Sequence, residues 1–122
     1  MLWNLVADRP IYAQLLDIIK LRIISGIYKP GAKFPSVREL AAEAGVNPNT
    51  MQKALTELER SGLIITQRTS GRTVTEDKEM IQGIKNQLAT DEILSFIKKM
   101  RELGFEKKEL LELMESIMKG EV

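Results

Sequence analysis

Apolar positions recur at helical spacing through most of the chain. Between Pro10 and Ser25, Ile11, Leu15, Ile18, Ile19 and Ile23 lie on one face, which predicts an amphipathic helix. Proline suits its first turn, where a missing N–H has no partner to lose, and Gly26 is a stop signal. The stretch Lys29-Pro30-Gly31-Ala32-Lys33-Phe34-Pro35 holds two prolines and reads as a loop. Ser36-Val37-Arg38-Glu39 then has the form of a capping box, in which serine and glutamate side chains satisfy each other's backbone N–H groups. It opens a second helix with Val37, Leu40 and Ala41 on one face, ending near Gly45. After Gly45-Val46-Asn47 a third helix begins, with Asn47 a favoured N-cap and Pro48 a favoured first residue. Met51, Ala54, Leu55 and Leu58 fall at i, i+3, i+4 and i+7, which predicts the buried face; Gly62 ends the helix.

The period then changes. Leu63-Ile64-Ile65-Thr66 is a short strand candidate rich in β-branched residues, Thr69-Ser70-Gly71 can turn, and Thr73-Val74-Thr75 can return antiparallel. From Glu76 the pattern is helical to the end. A long helix is expected from about Asp77 to Leu103, closed by Gly104, and a last one from about Lys107 to Lys119 with Leu110, Leu113, Met114 and Ile117 at regular spacing. In the long helix Ile81, Ile84 and Leu88 form one stripe; Ile93, Ile97 and Met100 form another, rotated around the axis. Either the helix breaks near Thr90 or it offers a wide apolar surface to two neighbours, and the second reading is favoured. The expected fold class is mainly α with a small β-hairpin, organised as residues 1–75 and a helical tail, 76–122.

Composition narrows the chemistry. The 122 residues are 43% hydrophobic but only 5% aromatic, so the core must rest on Leu, Ile, Val, Met and Ala. Cysteine and histidine are both absent, which removes disulfides, Cys/His zinc sites and most nucleophile–base pairs. No cofactor or metal is expected. No apolar run approaches a membrane span and the N-terminus lacks the pattern of a secretion signal, so a cytoplasmic location and no membrane partner are the expectation. Net charge is +1, but residues 1–75 carry 10 basic and 6 acidic side chains, net +4, while residues 76–122 carry 8 and 11, net −3. A basic front half points to an anionic partner, although on its own such asymmetry is common.

The order of elements is more telling. Two helices joined by a three-residue turn and followed by a hairpin form a winged helix-turn-helix. An α-helix fits the major groove of DNA and the helix before it braces it against the backbone. Asn49, Thr50, Gln52 and Lys53 lie off the apolar face of the third helix. Asparagine and glutamine can pair bidentately with adenine, and lysine suits guanine or phosphate. Ser36 and Arg38 stand where a helix N-terminus, a hydroxyl and a guanidinium can hold phosphate. Arg68 and Arg72 bracket the hairpin tip with Ser70 and Gly71. Each residue has a plainer role: Ser36 and Asn47 cap helices in any case, Asn49, Gln52 and Lys53 suit any exposed helix face, and turn arginines are usually solvated. Their joint register with the helix starts is what favours DNA.

Several segments in order also resemble the GntR family of bacterial regulators. They are Pro10-Ile11-Tyr12-Ala13-Gln14, Gly26-Ile27-Tyr28-Lys29-Pro30-Gly31, Pro35-Ser36-Val37-Arg38-Glu39-Leu40-Ala41, Gly45-Val46-Asn47-Pro48-Asn49-Thr50, Ala54-Leu55-Thr56-Glu57-Leu58-Glu59 and Gly62-Leu63-Ile64. The Asn47–Thr50 run and the short tail are similar to the YtrA subfamily. The resemblance implies that Arg38 binds phosphate or base, that Asn47, Pro48, Thr50 and Gln52 occupy contact positions of the recognition helix, and that Gly71 is the wing glycine. It also implies repression of an operon, often one encoding an ABC transporter. Many relatives carry arginines where this chain has Pro48 and Gln52. The family wing reads Gly-x-Gly-Thr-Phe/Tyr-Val, against Thr69-Ser70-Gly71-Arg72-Thr73-Val74 here.

The tail, 47 residues long, is too short for a large effector-binding domain, and two helices do not readily enclose a drug-sized ligand. They can bury an apolar face against a second copy, and a twofold homodimer would place recognition helices roughly 34 Å apart, matching a palindromic operator in double-stranded DNA. The alternative is that the tail folds back on its own winged domain. No residue pattern identifies a small-molecule effector. Two other function classes compete. A winged-helix module for protein–protein contact without DNA affinity would more often expose aromatics and methionines than the polar third helix found here. An enzyme would need converging carboxylates or lysines, and Glu106, Glu109, Glu112 and Glu115 are more simply a solvated helix face.

Overall fold

Backbone groups at helix ends need partners, and here short polar side chains supply them at the places that position the site. The computed structural model describes residues 3–69 and 71–120. Its elements are α1 (Ile11–Ile24), α2 (Val37–Ala44), α3 (Pro48–Ser61), β1 (Ile64–Gln67), β2 (Gly71–Val74), α4 (Lys78–Glu102) and α5 (Lys107–Met118). Mostly helical with one antiparallel hairpin, the chain has the winged-helix order expected from its sequence. It divides into two compact units, residues 1–84 and 85–122.

In the first unit Leu15, Ile19, Ile23, Leu40, Met51, Leu55 and Leu58 are fully buried among the three helices, and Leu63, Ile64 and Val74 extend this core beneath the hairpin. The apolar face expected for α3 is buried at all four positions. Deleting any of these large side chains leaves a cavity as well as losing transfer energy, which typically costs about 2–5 kcal/mol. The α2–α3 turn is tight because Gly45 takes the left-handed conformation (φ +70°) at the α2 C-cap, where a Cβ is disfavoured.

Two features of this unit have no local signature in the sequence. Residues 31–34 read as a loop, yet they pair with β2: Gly31 N–H donates to the Val74 carbonyl (2.9 Å), Val74 N–H to Ala32 (2.9 Å) and Phe34 N–H to Arg72 (2.7 Å). Lys33 forms an isolated bridge to Thr73, so the wing has a third backbone ribbon leading straight into the α2 cap. Near the N-terminus, buried Trp3 donates from its indole Nε1 to Glu43 (3.1 Å), and the buried Arg22 guanidinium stacks 4.1 Å from the Trp3 ring centre. Arg22 also donates to the Tyr28 hydroxyl (3.0 Å). Gln14, likewise buried, exchanges hydrogen bonds with the Val6 backbone and donates to the Arg9 carbonyl.

The hairpin register pairs Ile64 with Val74 and Gln67 with Gly71. Both strands are displaced from the expected windows. Leu63 N–H is held by the Leu58 carbonyl at the end of α3, so β1 starts one residue later. Gly71, at φ +81°, opens β2 rather than sitting inside the turn. The long helix α4 runs unbroken through Thr90, which removes the reading of a break there. Met80, Ile81 and Ile84 near its start pack against the core of the first unit.

The second unit pairs the later part of α4 with α5. A Glu106–Glu109 capping box begins α5, and Leu110 is the one buried hydrophobic residue among those described here. A groove of about 870 Å3 is lined by residues including Ile93, Phe96, Ile97, Phe105, Leu110 and Met114. Among the described residues, no helix is long and apolar enough to cross a membrane.

Candidate nucleic-acid interface

The candidate interface is built on the starts of α2 and α3. Ser36 caps α2: its hydroxyl accepts from Glu39 N–H (3.1 Å), and its own N–H donates to the Glu39 carboxylate (3.5 Å). Arg38, one residue inside the helix, is exposed. Asn47 caps α3 by accepting from Asn49 N–H through Oδ1 (2.8 Å), and Pro48 follows at the first helical position. That bond occupies the Asn47 carbonyl and leaves its amide N–H groups for another acceptor. Asn49, Gln52 and Lys53 are exposed and Thr50 is half-buried, so the first two turns of α3 offer a polar face opposite the buried Met51 and Leu55.

Two of these side chains are held in place. Gln52 donates to the Thr56 hydroxyl (3.2 Å), which itself donates to the Gln52 carbonyl (2.9 Å). Fixing an amide along the helix lowers the entropy it would lose in any further pairing. The Lys53 ammonium lies 3.9 Å from the ring centre of Tyr12 on α1. This cation–π contact, worth about 0.5–1 kcal/mol at an exposed site, ties the recognition helix to α1. Tyr12 thus becomes a supporting residue that sequence reasoning did not single out.

On the wing, Arg68 is exposed in the turn and Gly71 is exposed at the start of β2; Ser70 lies outside the described residues. Arg72 is half-buried and its Nε pairs with the Glu59 carboxylate on α3. Ser36, Gly71 and Arg72 meet around a groove of about 300 Å3, together with Lys33. The structure therefore joins the α2 cap to the wing and adds Lys33 and Glu59. Neither carried a signal along the sequence, because each meets the site through a contact between distant positions. No cluster of acidic side chains suited to a metal ion occurs among the described residues.

The family model for bacterial regulatory proteins of the GntR family matches residues 11–74, from the start of α1 to the end of β2. The chain belongs to the GntR family. GntR proteins are transcriptional regulators rather than enzymes, and this chain is a DNA-binding regulator of that type. It is 39% identical over 114 residues to the HTH-type transcriptional regulator YhcF of Bacillus subtilis, covering 93% of this chain and 94% of that protein. With the HTH-type transcriptional repressor YtrA of Bacillus subtilis it shares 44% identity over 88 residues, 67% of this chain and 68% of that one. Among solved structures, a GntR family transcriptional regulator from Listeria monocytogenes superposes with a TM-score of 0.84 at 38% identity, covering 92% of this chain and 98% of that chain. The DNA-binding domain of AraR, solved in complex with operator ORX1, matches 62% of this chain and 99% of its own with a TM-score of 0.53 at 27% identity.

Proposed function

We propose that this GntR regulator is a repressor that binds a palindromic operator as a homodimer, with α3 in the major groove and the wing against the flanking backbone. The observation that carries the reading is the exposed polar start of α3, capped by Asn47 and braced through Lys53 and Tyr12. Within it Asn47, Pro48, Asn49, Thr50, Gln52 and Lys53 face DNA. Arg38 and Ser36 hold phosphate at the start of α2, and Arg68, Ser70, Gly71 and Arg72 form the wing contact. Charged and backbone contacts of this kind fix register on the duplex, while the amides read base edges.

Homodimerisation through residues 76–122 is supported by what the tail leaves uncovered. Leu88, Ile93, Leu94, Phe96, Leu103, Leu111, Ile117 and Met118 are all exposed, Leu103 at 69% and Met118 at 84%. Apolar surface of that extent on one helix pair marks an interaction site, and a twofold partner covers it with the same surface. Repression is supported by likeness to the YtrA repressor. A dimer seated on an operator that overlaps a promoter blocks polymerase without further chemistry. An ABC transporter operon is the target that the resemblance implies.

Selection from a random duplex pool, followed by anisotropy titration at several salt concentrations, tests the reading. Enrichment of a palindrome with steeply salt-dependent affinity is the expected result, because each neutralised phosphate releases counterion. Absence of binding to any duplex at low salt would leave the winged-helix protein-contact module as the better account. Mapping the selected site upstream of genes tests the operon assignment.

A further inference from the structure

The wing departs from its family pattern at Arg72, where the motif has threonine, and this is the residue that the structure ties to the recognition helix. Its Nε–H donates to the Glu59 carboxylate from α3, with the two side chains 21% and 29% exposed. Its carbonyl accepts from Phe34 N–H, and buried Phe34 leads through Pro35 into the Ser36 cap of α2. Arg72 therefore joins α3 by its side chain and the approach to α2 by its backbone. A guanidinium has five N–H donors in a rigid plane. Glu59 engages the one on Nε, which leaves the four on the two Nη atoms for other acceptors, and Arg72 lines the groove shared with Lys33, Ser36 and Gly71.

We propose that Glu59 is a positioning residue for DNA binding: it orients the Arg72 guanidinium so that its Nη edge meets a backbone phosphate flanking the operator. The inference rests on the DNA-binding reading of the wing. An acidic residue beside a phosphate contact repels DNA when considered alone. Here it fixes the donor plane, as an outer partner orients a ligand in a metal site, and the oriented arginine loses less entropy on pairing. Simple charge bookkeeping and the positioning account thus predict opposite signs for removal of Glu59.

The test is anisotropy of the full-length chain on its selected operator, across salt, with thermal melts run in parallel. Glu59→Ala is expected to weaken operator binding about fivefold although it removes a negative charge, as losing an aimed charge-assisted hydrogen bond would. Glu59→Gln, which keeps an oxygen acceptor for Arg72 Nε, is expected to recover most of that loss. Arg72→Gln is expected to lower the salt slope by about 0.9, the value of one phosphate contact, and Glu59→Ala to add no further loss in that background. Unchanged or tighter binding by Glu59→Ala would overturn the proposal, as would an equal loss with Arg72 already replaced. A Glu59→Ala protein that melts early leaves Glu59→Gln to decide: full stability with fivefold weaker binding would also overturn it. Failure of the unaltered protein to bind any duplex would sink the DNA-binding reading itself, a separate outcome.

Discussion

The two units of the chain treat apolar side chains in opposite ways. In residues 3–84 the buried hydrophobics form one continuous core from Trp3 to Ile81, and the large exposed ones are scattered: Val6, Leu21, Ile27 and Ile65. Among the described residues from 85 onward only Leu110 is buried, while eight large apolar side chains between Leu88 and Met118 stand exposed. The first unit completes its core within one copy. The second carries as strong an apolar pattern but has too few elements to cover it. A helix pair can fold to one side only, and its remaining face is stable where another surface excludes water. One unit is thus read as a self-contained reader and the other as half of an interface.

Substitutions can break or sharpen that contrast. Leu55→Ala should have the largest effect, costing roughly 2–5 kcal/mol by opening a cavity in a closed core. Urea denaturation should show the midpoint falling, while light scattering under native conditions still gives a dimer mass. Phe96→Asp should act on the other unit. Placing a carboxylate in the proposed interface should weaken dimerisation on the order of a hundredfold, and sedimentation should give a monomer that keeps its helical circular dichroism. A stable dimer of this variant would break the interface reading.

Smaller effects separate roles within the reader. Gln52→Ala should relax preference at one base pair by about 1–3 kcal/mol; equal weakening on operator and random duplex would remove Gln52 from base readout. Asn47→Ala should cost about 1 kcal/mol of thermal stability through its lost cap. If operator affinity falls by more than that, the Asn47 amide touches DNA as well as the helix.

The parts of this molecule that were legible in the sequence are those with local causes. The Ser36–Glu39 box, the Asn47 cap with Pro48, and the Gly45 turn each lie within a few residues, so α2, α3 and their exposed faces followed from short motifs. The buried set of α3 followed from its period. What was not legible depends on distant partners. The ribbon at residues 31–34 exists because β2 offers it hydrogen bonds, although the flanking Pro30 and Pro35 argue for a loop. Trp3, Arg22 and Glu43 form one cluster from three separate segments. The Glu59–Arg72 pair forms only because the hairpin brings two distant positions together. The candidate interface residues could therefore be named one by one from the sequence, while the contacts that hold Lys53, Gln52 and Arg72 in position were readable only partly. The Gln52–Thr56 pair, at helical spacing, is the exception that sequence reasoning could have found.

The most direct test of the account is the stoichiometry of the complex. Sedimentation of the chain with a duplex carrying the selected site should give two copies per duplex. A duplex with one half-site destroyed should lose affinity by at least tenfold, since one of the two recognition helices then meets non-specific DNA. One copy per duplex, with affinity indifferent to the second half-site, would contradict a twofold regulator joined through its tail.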